Sequence, residues 1–480
     1  MSDAPYVLAP NKEAKTAFKS MVDRASEIVL ASTADNKAYS GLTPYVLREK
    51  IRELGFFPDH GVGFDEIMDK VESEIAPSML KTWSTEYMPH LHSPALLESI
   101  ATSLIINAFN DSMDSWDQGP AATEIETLVI EGLLELFGFD KAKGDGVFTS
   151  GGSQSNISAL TAARDSYAKE RLYWDVKKNG LPPSYDKLVL YTSEISHFSM
   201  EKGAHMLGLG YKAVRKLPID DKARVDIASF KSMVESDIKA GYLPFLAVAT
   251  IGTTDFGSID DIAAMREICD KYGMHLHADA AYGSGAILSS LYKERLGDLS
   301  LADSITVDFH KMFLLPISCS AILVKKKEDL ECFELHADYL NREEDEEDGF
   351  VNLVGKSLQT TRPFDALKVF VSFQMRGRDG YGKIIDKVIE NASYFYSLLT
   401  KDRAFYAPVS PELSSVVFAL EKSDDVNKAV RRELLEEGIV IGQTVYKNRV
   451  MLKFTLLNPA LTHSEIDSLL LHIKALGSKL

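Results

Sequence analysis

Short apolar runs alternate with amphipathic stretches along the middle of the chain. The runs are rich in aliphatic and β-branched residues, which is typical of strands buried on both faces. They are Leu188–Thr192, Phe245–Thr250, Met274–Ala280, Ile305–Val307 and Ala321–Val324. Apolar residues at helical spacing lie between them, for example over Ile262–Tyr272. Because strands that alternate with helices build parallel sheets, we predict an α/β fold with a mostly parallel, doubly wound sheet over residues 145–325.

The two ends of the chain have other patterns. Helical spacing over Lys12–Ala31, followed by breaks at prolines and glycines, predicts an N-terminal helical segment. Towards the C-terminus, a long helix from about Gly377 precedes two strands and a helix, which indicates a small α+β domain. These later elements are Ser415–Leu420, Val450–Leu456 and Val426–Glu437. The predicted domains are residues 1–84, 85–376 and 377–480.

Composition narrows the class of protein. The chain has 480 residues, more than one simple core accommodates, and a formal net charge of −17. This charge argues against nucleic acid and anionic membrane as partners. No apolar run reaches the roughly 20 residues that span a bilayer, and the N-terminus lacks the apolar core of a secretory signal. The cysteines, Cys269, Cys319 and Cys332, have neither metal nor disulfide spacing, so we expect a cytoplasmic protein without a metal site.

A lysine and an aspartate at the ends of two predicted strands indicate a shared site. Lys311 follows the run Ile305–Val307, and Asp279 lies at the end of the run Met274–Ala280. Ligands of open α/β sheets bind at the carboxyl ends of strands. A desolvated lysine amine can attack an aldehyde, and a carboxylate keeps a pyridine nitrogen protonated. The pair therefore predicts a site for pyridoxal 5′-phosphate; a solvated Lys311 and an Asp279 that only caps a turn are the alternatives.

A glycine-rich stretch supplies a candidate phosphate site. Gly146–Asn156 reads Gly-Val-Phe-Thr-Ser-Gly-Gly-Ser-Gln-Ser-Asn and precedes a predicted helix at Ile157–Arg164. Glycines let backbone N–H groups approach an anion, and the positive end of the helix points at it. Ser153 and Ser155 add hydroxyl donors. The alternative is an ordinary capped turn.

Several of these stretches recur together, in this order, in one family. The sequences Asp-Phe-His-Lys at Lys311, His-Ala-Asp-Ala-Ala-Tyr at Asp279 and Gly-Gly-Ser-Gln-Ser-Asn at Asn156 resemble those of the group II amino-acid decarboxylases. These are pyridoxal-phosphate enzymes of fold type I. The resemblance extends from about Trp83 to the C-terminus and implies that fold, that cofactor and the loss of an amino acid's carboxylate as CO2. It also implies a homodimer with a shared active site.

The resemblance implies a set of cofactor contacts. The glycines and serines match the family's Gly-Gly-x-x-Ser-Asn pattern, which holds the phosphate. His197 corresponds to a histidine that lies flat on the ring, and Thr253 to a threonine near the phenolic oxygen; a structural histidine is the alternative for His197. The predicted contacts are Gly152, Ser153, Ser155, His197, Thr253, Asp279, Ala281, His310 and Lys311.

Substrate contacts are implied in the same way. The segments around His92 and Asp114 correspond to the family's substrate pocket. An acid at Asp114 would suit a substrate whose side chain ends in an ammonium group, and the neighbouring Asp111 and Asp117 could serve equally. The alternative is that these acids are helix caps and solvated turns.

Two further residues are matched to the family. Tyr339 precedes a run of six consecutive acids and corresponds to a tyrosine of the flexible active-site loop, so we predict that it donates a proton to the α-carbon. A tyrosine packed in the core is the alternative. Arg362 matches a family arginine, and two roles stay open for it: a clamp for the substrate carboxylate or a structural ion pair.

Three stretches look most like the diamino-acid branch of the family: Ser112–Gln118, Phe309–Lys311 and His336–Asn341. We therefore predict decarboxylation of L-2,4-diaminobutyrate to 1,3-diaminopropane, with lysine or ornithine as the next candidates and aromatic amino acids third. A pyridoxal-phosphate aminotransferase or lyase would use the same cofactor residues. A non-catalytic protein on the same fold is the remaining alternative.

Overall fold

The structure is a computed structural model that describes residues 6–335 and 349–480. Two compact units make up this part of the chain. The larger unit comprises His90–Phe418 and Thr455–Pro459. The smaller unit comprises Met1–Pro89, as far as it is described, together with Ala419–Phe454 and Ala460–Leu480. The three-domain division read from the sequence remains a prediction.

Each helix and strand that periodicity predicts corresponds to an element of the structure. The α-helices are α1 (Lys12–Ala31), α2 (Pro44–Glu53), α3 (Phe64–Lys70), α4 (Leu97–Phe109), α5 (Pro120–Leu136), α6 (Gly152–Arg171), α7 (Val176–Asn179), α8 (Ser199–Met206), α9 (Ile227–Lys239), α10 (Ile262–Tyr272), α11 (Ala366–Lys401), α12 (Asp424–Glu437) and α13 (His463–Lys479). The strands are β1 (Asp145–Thr149), β2 (Leu188–Ser193), β3 (Val214–Leu217), β4 (Leu243–Thr250), β5 (His275–Asp279), β6 (Ser304–Asp308), β7 (Ser320–Val324), β8 (Phe405–Tyr406), β9 (Ser415–Leu420), β10 (Gly442–Tyr446) and β11 (Arg449–Thr455). Among the described helices, none has both the length and the apolar character that crossing a bilayer requires.

A seven-stranded sheet forms the centre of the larger unit, with the strand order β1-β7-β6-β5-β4-β2-β3. The strands from β3 through β2, β4 and β5 to β6 pair in parallel. β7 runs antiparallel to both of its neighbours, β6 and β1, so β1 points the same way as β6. The predicted mostly parallel α/β sheet is confirmed, with β7 as its reversed strand.

Helices cover both faces of this sheet, as the doubly wound class requires. In β4, Ala247 and Ala249 pack in the same core cluster as α9 and α10, whereas Leu246 and Val248 pack with α6 and α8. Alternate residues of a strand point to opposite faces. A continuous apolar run is therefore what a strand between two helical layers needs.

Local sequence signals set the helix ends next to the sheet. At the start of α10, the side chain of Asp261 accepts a hydrogen bond from the N–H of Ala264, and Gly273 ends the helix in the left-handed conformation (φ 68°). Periodicity predicted the long C-terminal helix from Gly377, whereas α11 begins at Ala366 and Gly377 interrupts it with φ 59°. Glycine adopts positive φ without steric cost, so the interruption falls at this residue.

The smaller unit contains a hairpin and capped helices. β10 and β11 pair antiparallel from Gly442 to Lys453, and the two residues between them, Lys447 and Asn448, both have positive φ. Two-residue hairpin loops of the common type need positive φ at both positions. α13 starts with a capping box formed by Thr462 and Glu465, which satisfies N–H groups at its first turn.

The direction of the strands decides where a ligand site can form. Six strands of the large sheet, all except β7, point the same way, and their carboxyl ends lie along one edge. β5 ends at Asp279 and β6 ends at Asp308. Ligands of open α/β sheets bind at this edge.

Candidate active site

A cavity of about 340 Å³ lies at the carboxyl edge of the large sheet. Loops that follow β1, β2, β4, β5 and β6 all contribute to its wall. The lining includes seven residues that the sequence assigns to the cofactor: Gly152, Ser153, His197, Asp279, Ala281, His310 and Lys311. The fold thus brings side chains from distant parts of the sequence to one place.

Asp279 gives the cavity a fixed carboxylate. It is the last residue of β5 and is 5% exposed. Its Oδ2 accepts a hydrogen bond from Nδ2 of Asn156 at 2.9 Å, and its Oδ1 accepts one from the backbone N–H of Ala281 at 3.3 Å. These two N–H donors offset the cost of burying the carboxylate and hold it in one orientation.

Asn156, in the first turns of α6, connects Asp279 to the rest of the site. Its Nδ2 donates to Asp279 and to Oγ of Ser199, both at 2.9 Å. Its Oδ1 accepts from Oγ1 of Thr306 at 2.7 Å and from Nε2 of His277 at 3.0 Å. An amide has two N–H hydrogens and an oxygen with two lone pairs, so these four bonds satisfy the side chain and fix its orientation.

His277 is a neutral imidazole beneath Asn156. Burial lowers the pKa of His277 to about 3, with a smaller contribution from His275. Since Nε2 donates to Asn156, Nδ1 is the acceptor, and it takes the hydrogen of the Ser304 hydroxyl at 2.9 Å. The neutral ring therefore supports the orientation of Asn156 that Asp279 needs.

His197 follows β2 and is part of the cavity wall. Burial lowers the pKa of His197; the charge of Asp279 opposes this effect and that of Lys311 adds to it. Nδ1 of the ring lies 3.3 Å from the backbone N–H of Ser199 and 2.9 Å from its hydroxyl. A backbone N–H can only donate, so Nδ1 accepts and the proton of the neutral ring is on Nε2.

Lys311 lies in the turn beyond β6, beside an acid. Its Nζ is 3.0 Å from Oδ2 of Asp308, and Nε2 of His310 is 3.6 Å from the same oxygen. The Lys311 side chain is 18% exposed and the Asp308 side chain 2%. Nδ1 of His310 lies 2.9 Å from the carbonyl oxygen of Cys319, which orients the ring. The amine thus reaches the cavity while its counter-charge is buried.

The first turn of α6 forms a further part of the cavity wall, next to Asp308. Gly151 precedes the helix with φ 142°, and a Cβ on Gly152 would lie only 2.7 Å from Oδ2 of Asp308. The backbone N–H and the hydroxyl of Ser150 donate to Oε1 of Gln154 at 2.9 and 2.6 Å. Nε2 of Gln154 is then left buried without a partner among the described residues. Such a donor at a helix N-terminus suits an anion.

Two predicted cofactor contacts, Ser155 and Thr253, are not part of the described cavity lining. The hydroxyl of Ser155 lies 2.7 Å from that of Thr149 and 3.0 Å from that of Ser320. The hydroxyl of Thr253 lies 2.7 Å from that of Ser258. Both residues are buried, and their role as cofactor contacts stays a prediction.

The predicted substrate residues His92 and Asp114 also lie outside the lining that the described residues of one chain form. Burial lowers the pKa of His92, and the charge of nearby His310 lowers it further. Asp114 is buried; its Oδ1 accepts from the N–H of Ser115 at 3.0 Å and its Oδ2 from the hydroxyl of Thr361 at 3.4 Å. Within one chain, only His92 is near a lining residue.

Arg362 forms a buried ion pair. Its two terminal nitrogens donate to the two carboxylate oxygens of Glu126, both at 2.6 Å, and the side chains are 3% and 1% exposed. Of the two roles that the sequence leaves open, these contacts favour the structural ion pair. The predicted proton donor, Tyr339, lies outside the described residues.

Among the polar lining residues that were not assigned from the sequence are Asp308, Gln154 and Asn156. Asp308 has a signal in the sequence, because an acid three positions before a lysine can form an ion pair with it. Gln154 carries none, because a glutamine after a glycine pair is common in capped turns. The sequence also allows Asn156 to be a helix cap. Its hydrogen-bond partners on β5, β6 and α8 are distant in the sequence and come into contact with it only in the folded chain.

A parallel α/β sheet with a lysine amine and a buried carboxylate in one cavity at its carboxyl edge is the arrangement of pyridoxal-phosphate enzymes. The family model described as the pyridoxal-dependent decarboxylase conserved domain matches residues 49–421. The chain is 35% identical over 474 residues to L-2,4-diaminobutyrate decarboxylase of Acinetobacter baumannii, which covers 95% of this chain and 92% of that protein. It is 33% identical over 476 residues to the protein of the same name from Rhizobium meliloti, covering 97% and 93%.

A solved structure from Vibrio parahaemolyticus matches the whole fold. It is described as the glutamate decarboxylase domain of diaminobutyrate-pyruvate transaminase and L-2,4-diaminobutyrate decarboxylase. The TM-score is 0.90 at 34% identity, and the match covers 99% of this chain and 98% of that one. The chain belongs to the pyridoxal-dependent decarboxylase family. It is therefore a lyase with pyridoxal phosphate as its cofactor, as the resemblance read from the sequence implied.

The donors in the cavity fit that cofactor. The buried, unpartnered Nε2 of Gln154 and the first turn of α6 suit a phosphate group. Asp279 offers a carboxylate for a protonated ring nitrogen, and Lys311 offers an amine for an aldehyde. The cavity thus offers an anion site, a carboxylate and an amine, which suit the phosphate, the ring nitrogen and the aldehyde of pyridoxal phosphate.

Proposed function

We propose that this chain decarboxylates L-2,4-diaminobutyrate, giving 1,3-diaminopropane and CO2. The observation that carries the chemistry is the single cavity in which Asp279, His197 and Lys311 meet. Support for the substrate comes from the two relatives named as L-2,4-diaminobutyrate decarboxylases. Lysine and ornithine, which also end in an ammonium group, are the next candidates.

Each residue of the cavity has a definite task in this proposal. When bound, pyridoxal phosphate supplies a ring that accepts the electron pair left on the α-carbon as CO2 departs. Asp279, held by Asn156, keeps the proton on the ring nitrogen. Lys311 would hold the cofactor through its amine. Gln154 and the α6 N-terminus bind the phosphate.

Proton positions follow from the hydrogen bonds. His197 keeps its proton on Nε2, because Ser199 occupies Nδ1. A neutral histidine adds no charge beside the departing carboxylate, and its N–H can donate a hydrogen bond to it. We assign the return of a proton to the α-carbon to Tyr339, as the family resemblance implies. Exclusion of water around that step prevents side reactions.

We assign recognition of the substrate's ammonium group to Asp114. This carboxylate is buried and accepts hydrogen bonds only from neutral groups, and it forms no ion pair with any described residue. A buried anion without a cation is costly, and a cationic ligand would remove that cost. Its neighbour Asp117 is exposed and accepts from the hydroxyl of Ser115. In a dimer with a shared site, Asp114 would serve the cavity of the partner subunit.

We also propose that the enzyme is a homodimer. Helix α4 exposes five large apolar side chains, and an exposed apolar cluster of this kind marks an interaction surface. The exposed side chains are Leu97, Ile100, Leu104, Ile105 and Phe109. A second copy of this chain is the occupant that would bury this face and complete the site with Asp114.

A cytoplasmic location is proposed from the state of the cysteines. Cys269, Cys319 and Cys332 are all free thiols, and the first two are buried. Thiols persist in reducing compartments, where disulfides are rare. Fractionation of cells that express the chain should recover it with the cytoplasmic proteins.

A substrate panel tests the proposed function. CO2 and the remaining product are measured with L-2,4-diaminobutyrate, ornithine, lysine and DOPA. We expect kcat/KM for diaminobutyrate to exceed that for ornithine, which is one methylene longer, about tenfold or more. Turnover of DOPA alone would contradict the diamino-acid substrate. Formation of a keto acid and pyridoxamine phosphate instead of CO2 would identify an aminotransferase.

The role of Asp114 is tested with a matched pair of variants. Asp114→Asn should lower kcat/KM for diaminobutyrate by about a hundredfold or more, because the buried charge that receives the ammonium group is lost. Asp117→Asn is the control, because Asp117 is close in the sequence but exposed. It should leave kcat/KM within about twofold of that of the original enzyme. Equal effects of the two substitutions would refute the assignment.

A further inference from the structure

The buried carboxylate of Asp308 forms an ion pair with the amine of Lys311. Its Oδ2 is 3.0 Å from Nζ of Lys311, and both residues belong to the same turn at the end of β6. The spacing of three residues places the two side chains on one side of that turn. This ion pair links the end of the strand to the cavity.

Asp308 has few other ways to satisfy its charge. Its side chain is 2% exposed, and its Oδ1 is buried without a hydrogen-bond partner among the described residues. His310 lies 3.6 Å from Oδ2, farther than Lys311. A buried carboxylate is costly unless a cation accompanies it. The burial of Asp308 therefore depends mainly on Lys311.

The carboxylate of Asp308 also contacts the start of α6. A Cβ on Gly152 would lie 2.7 and 3.0 Å from the two carboxylate oxygens. The carboxylate is thus packed against the first residue of α6, whose positive helix end favours an anion there. Packing on one side and Lys311 on the other keep Asp308 in place.

We propose that Asp308 is a positioning residue for Lys311: it is the counter-ion that holds the free ammonium at the cavity whenever the lysine is not joined to the cofactor. This inference rests on the assignment of Lys311 as the lysine that joins pyridoxal phosphate. Lys311 must leave the cofactor in each turnover and return to it. Asp308 keeps the released side chain in place beside the cavity.

A second ion pair of the same unit provides a matched control. Nζ of Lys356 lies 2.6 Å from Oδ1 of Asp145, and the Lys356 side chain is 19% exposed, against 18% for Lys311. Neither Asp145 nor Lys356 is part of the described cavity lining. The two lysines therefore share exposure and type of partner but differ in location.

The test measures the rate at which each lysine of the cofactor-free protein is methylated by formaldehyde and cyanoborohydride, with peptide mass spectrometry as the readout. The reagent attacks a free amine, and the hydrogen-bonded ion pair with a fixed carboxylate has to break before the amine can react. Asp308→Asn should speed methylation of Lys311 about tenfold and leave Lys356 unchanged. Asp145→Asn should do the reverse, and Asp308→Glu should restore slow methylation of Lys311.

The outcomes separate the two assignments. Borohydride reduction of the holoenzyme, followed by peptide mapping, first locates the lysine that carries the cofactor. If that lysine is not Lys311, the proposed site fails whatever Asp308 does. If it is Lys311 and Asp308→Asn leaves its methylation rate unchanged, the counter-ion role is overturned. Faster methylation of both Lys311 and Lys356 in Asp308→Asn would show general unfolding and would also overturn the specific role.

Discussion

At the scale of single residues, the site depends on side chains whose hydrogen bonds allow one orientation. Asn156 is the clearest case, because four partners fix its amide between Asp279 and His277. The neutral state of His277 follows from burial, and it determines which way the amide faces. The carboxylate of the cavity is thus held by Asn156, which His277 orients from behind the described lining.

Arg362 offers a prediction at this scale. Arg362→Met would leave Glu126 as an unpaired buried charge, so we expect the free energy of unfolding to fall by about 3–5 kcal/mol. KM for the substrate should change less than about twofold, since both guanidinium contacts go to Glu126. Urea unfolding and steady-state kinetics measure the two quantities.

The double variant supplies the control for this ion pair. Adding Glu126→Gln to Arg362→Met removes the unpaired charge and should recover part of the lost stability. Unchanged stability in Arg362→Met, together with a tenfold or larger rise in KM, would instead show that Arg362 is the carboxylate clamp.

At this scale, sequence patterns predicted part of the site. Lys311 and Asp279 carry their signal locally, because each stands at the end of an apolar run. Asp308 and Gln154 were not assigned, and Ser155 and Thr253 were predicted as cofactor contacts although their hydroxyls bond inside the protein. Which polar group faces a cavity depends on neighbours from other elements, and periodicity does not describe them.

At the scale of elements, strand ends decide where the chemistry lies. β5 places Asp279 at the cavity and His277 two residues earlier, on the same face of the strand. The parallel neighbour β6 places Ser304 opposite His277 and Thr306 opposite Asp279, and Asp308 ends the strand two residues later. Two adjacent strands with period two therefore supply both the acid and the network that holds it.

The burial of His277 predicts a pH dependence of stability. Its pKa is about 3 in the folded protein against an ordinary 6.5, so below pH 6.5 the unfolded chain takes up a proton that the folded chain does not. Stability contributed by the neutral ring is therefore lost as the pH falls from 6.5 towards 3. Between pH 6.5 and about 5 this single group should cost about 1.5 kcal/mol.

The variant His277→Gln isolates this contribution. Glutamine keeps an N–H donor for Asn156 but does not titrate, so its free energy of unfolding should fall by about 1.5 kcal/mol less than that of the original protein over the same pH interval. Urea unfolding of both cofactor-free proteins gives the two differences. An equal fall in both would mean that His277 is not buried as a neutral group.

The sequence predicted most elements correctly as helix or strand, but it predicted their first and last residues less well. Helix α1 and strand β9 match their predicted bounds, since strong periodicity and clear end signals coincide there. The edge strands β1 and β3 were not predicted: β1 is short and contains Gly146, where a Cβ would lie 2.6 Å from the carbonyl oxygen of Ile322. A glycine that a neighbouring strand requires weakens the local strand signal.

At the scale of the whole molecule, the parallel class of the sheet was predictable and its strand order was not. Alternating strands and helices indicate parallel pairing. The order β1-β7-β6-β5-β4-β2-β3, with β7 reversed, depends on which apolar faces meet after the chain folds. The family, the cofactor and the enzyme class were predicted because several motifs occurred in the right order.

The proposed dimer gives a prediction for the whole molecule. Ile105→Glu places a charge in the exposed apolar face of α4, so sedimentation should show the mass of one chain, 53.2 kDa, in place of twice that mass. Activity should fall with the dimer if the site is shared. Ile238→Glu, on the exposed side of α9, is the control and should remain dimeric. A dimer that persists in Ile105→Glu would show that this face is not the interface.

The central claim is that one amine, that of Lys311, joins the cofactor beside Asp279. The direct measurement is the absorbance spectrum of the purified protein at the boundary between the ultraviolet and the visible range. The spectra of Lys311→Ala and of the matched variant Lys356→Ala are compared with it at equal cofactor concentration. The account predicts that the absorbance band of the protein-linked cofactor disappears in Lys311→Ala and is unchanged in Lys356→Ala. An unchanged band in Lys311→Ala would contradict it.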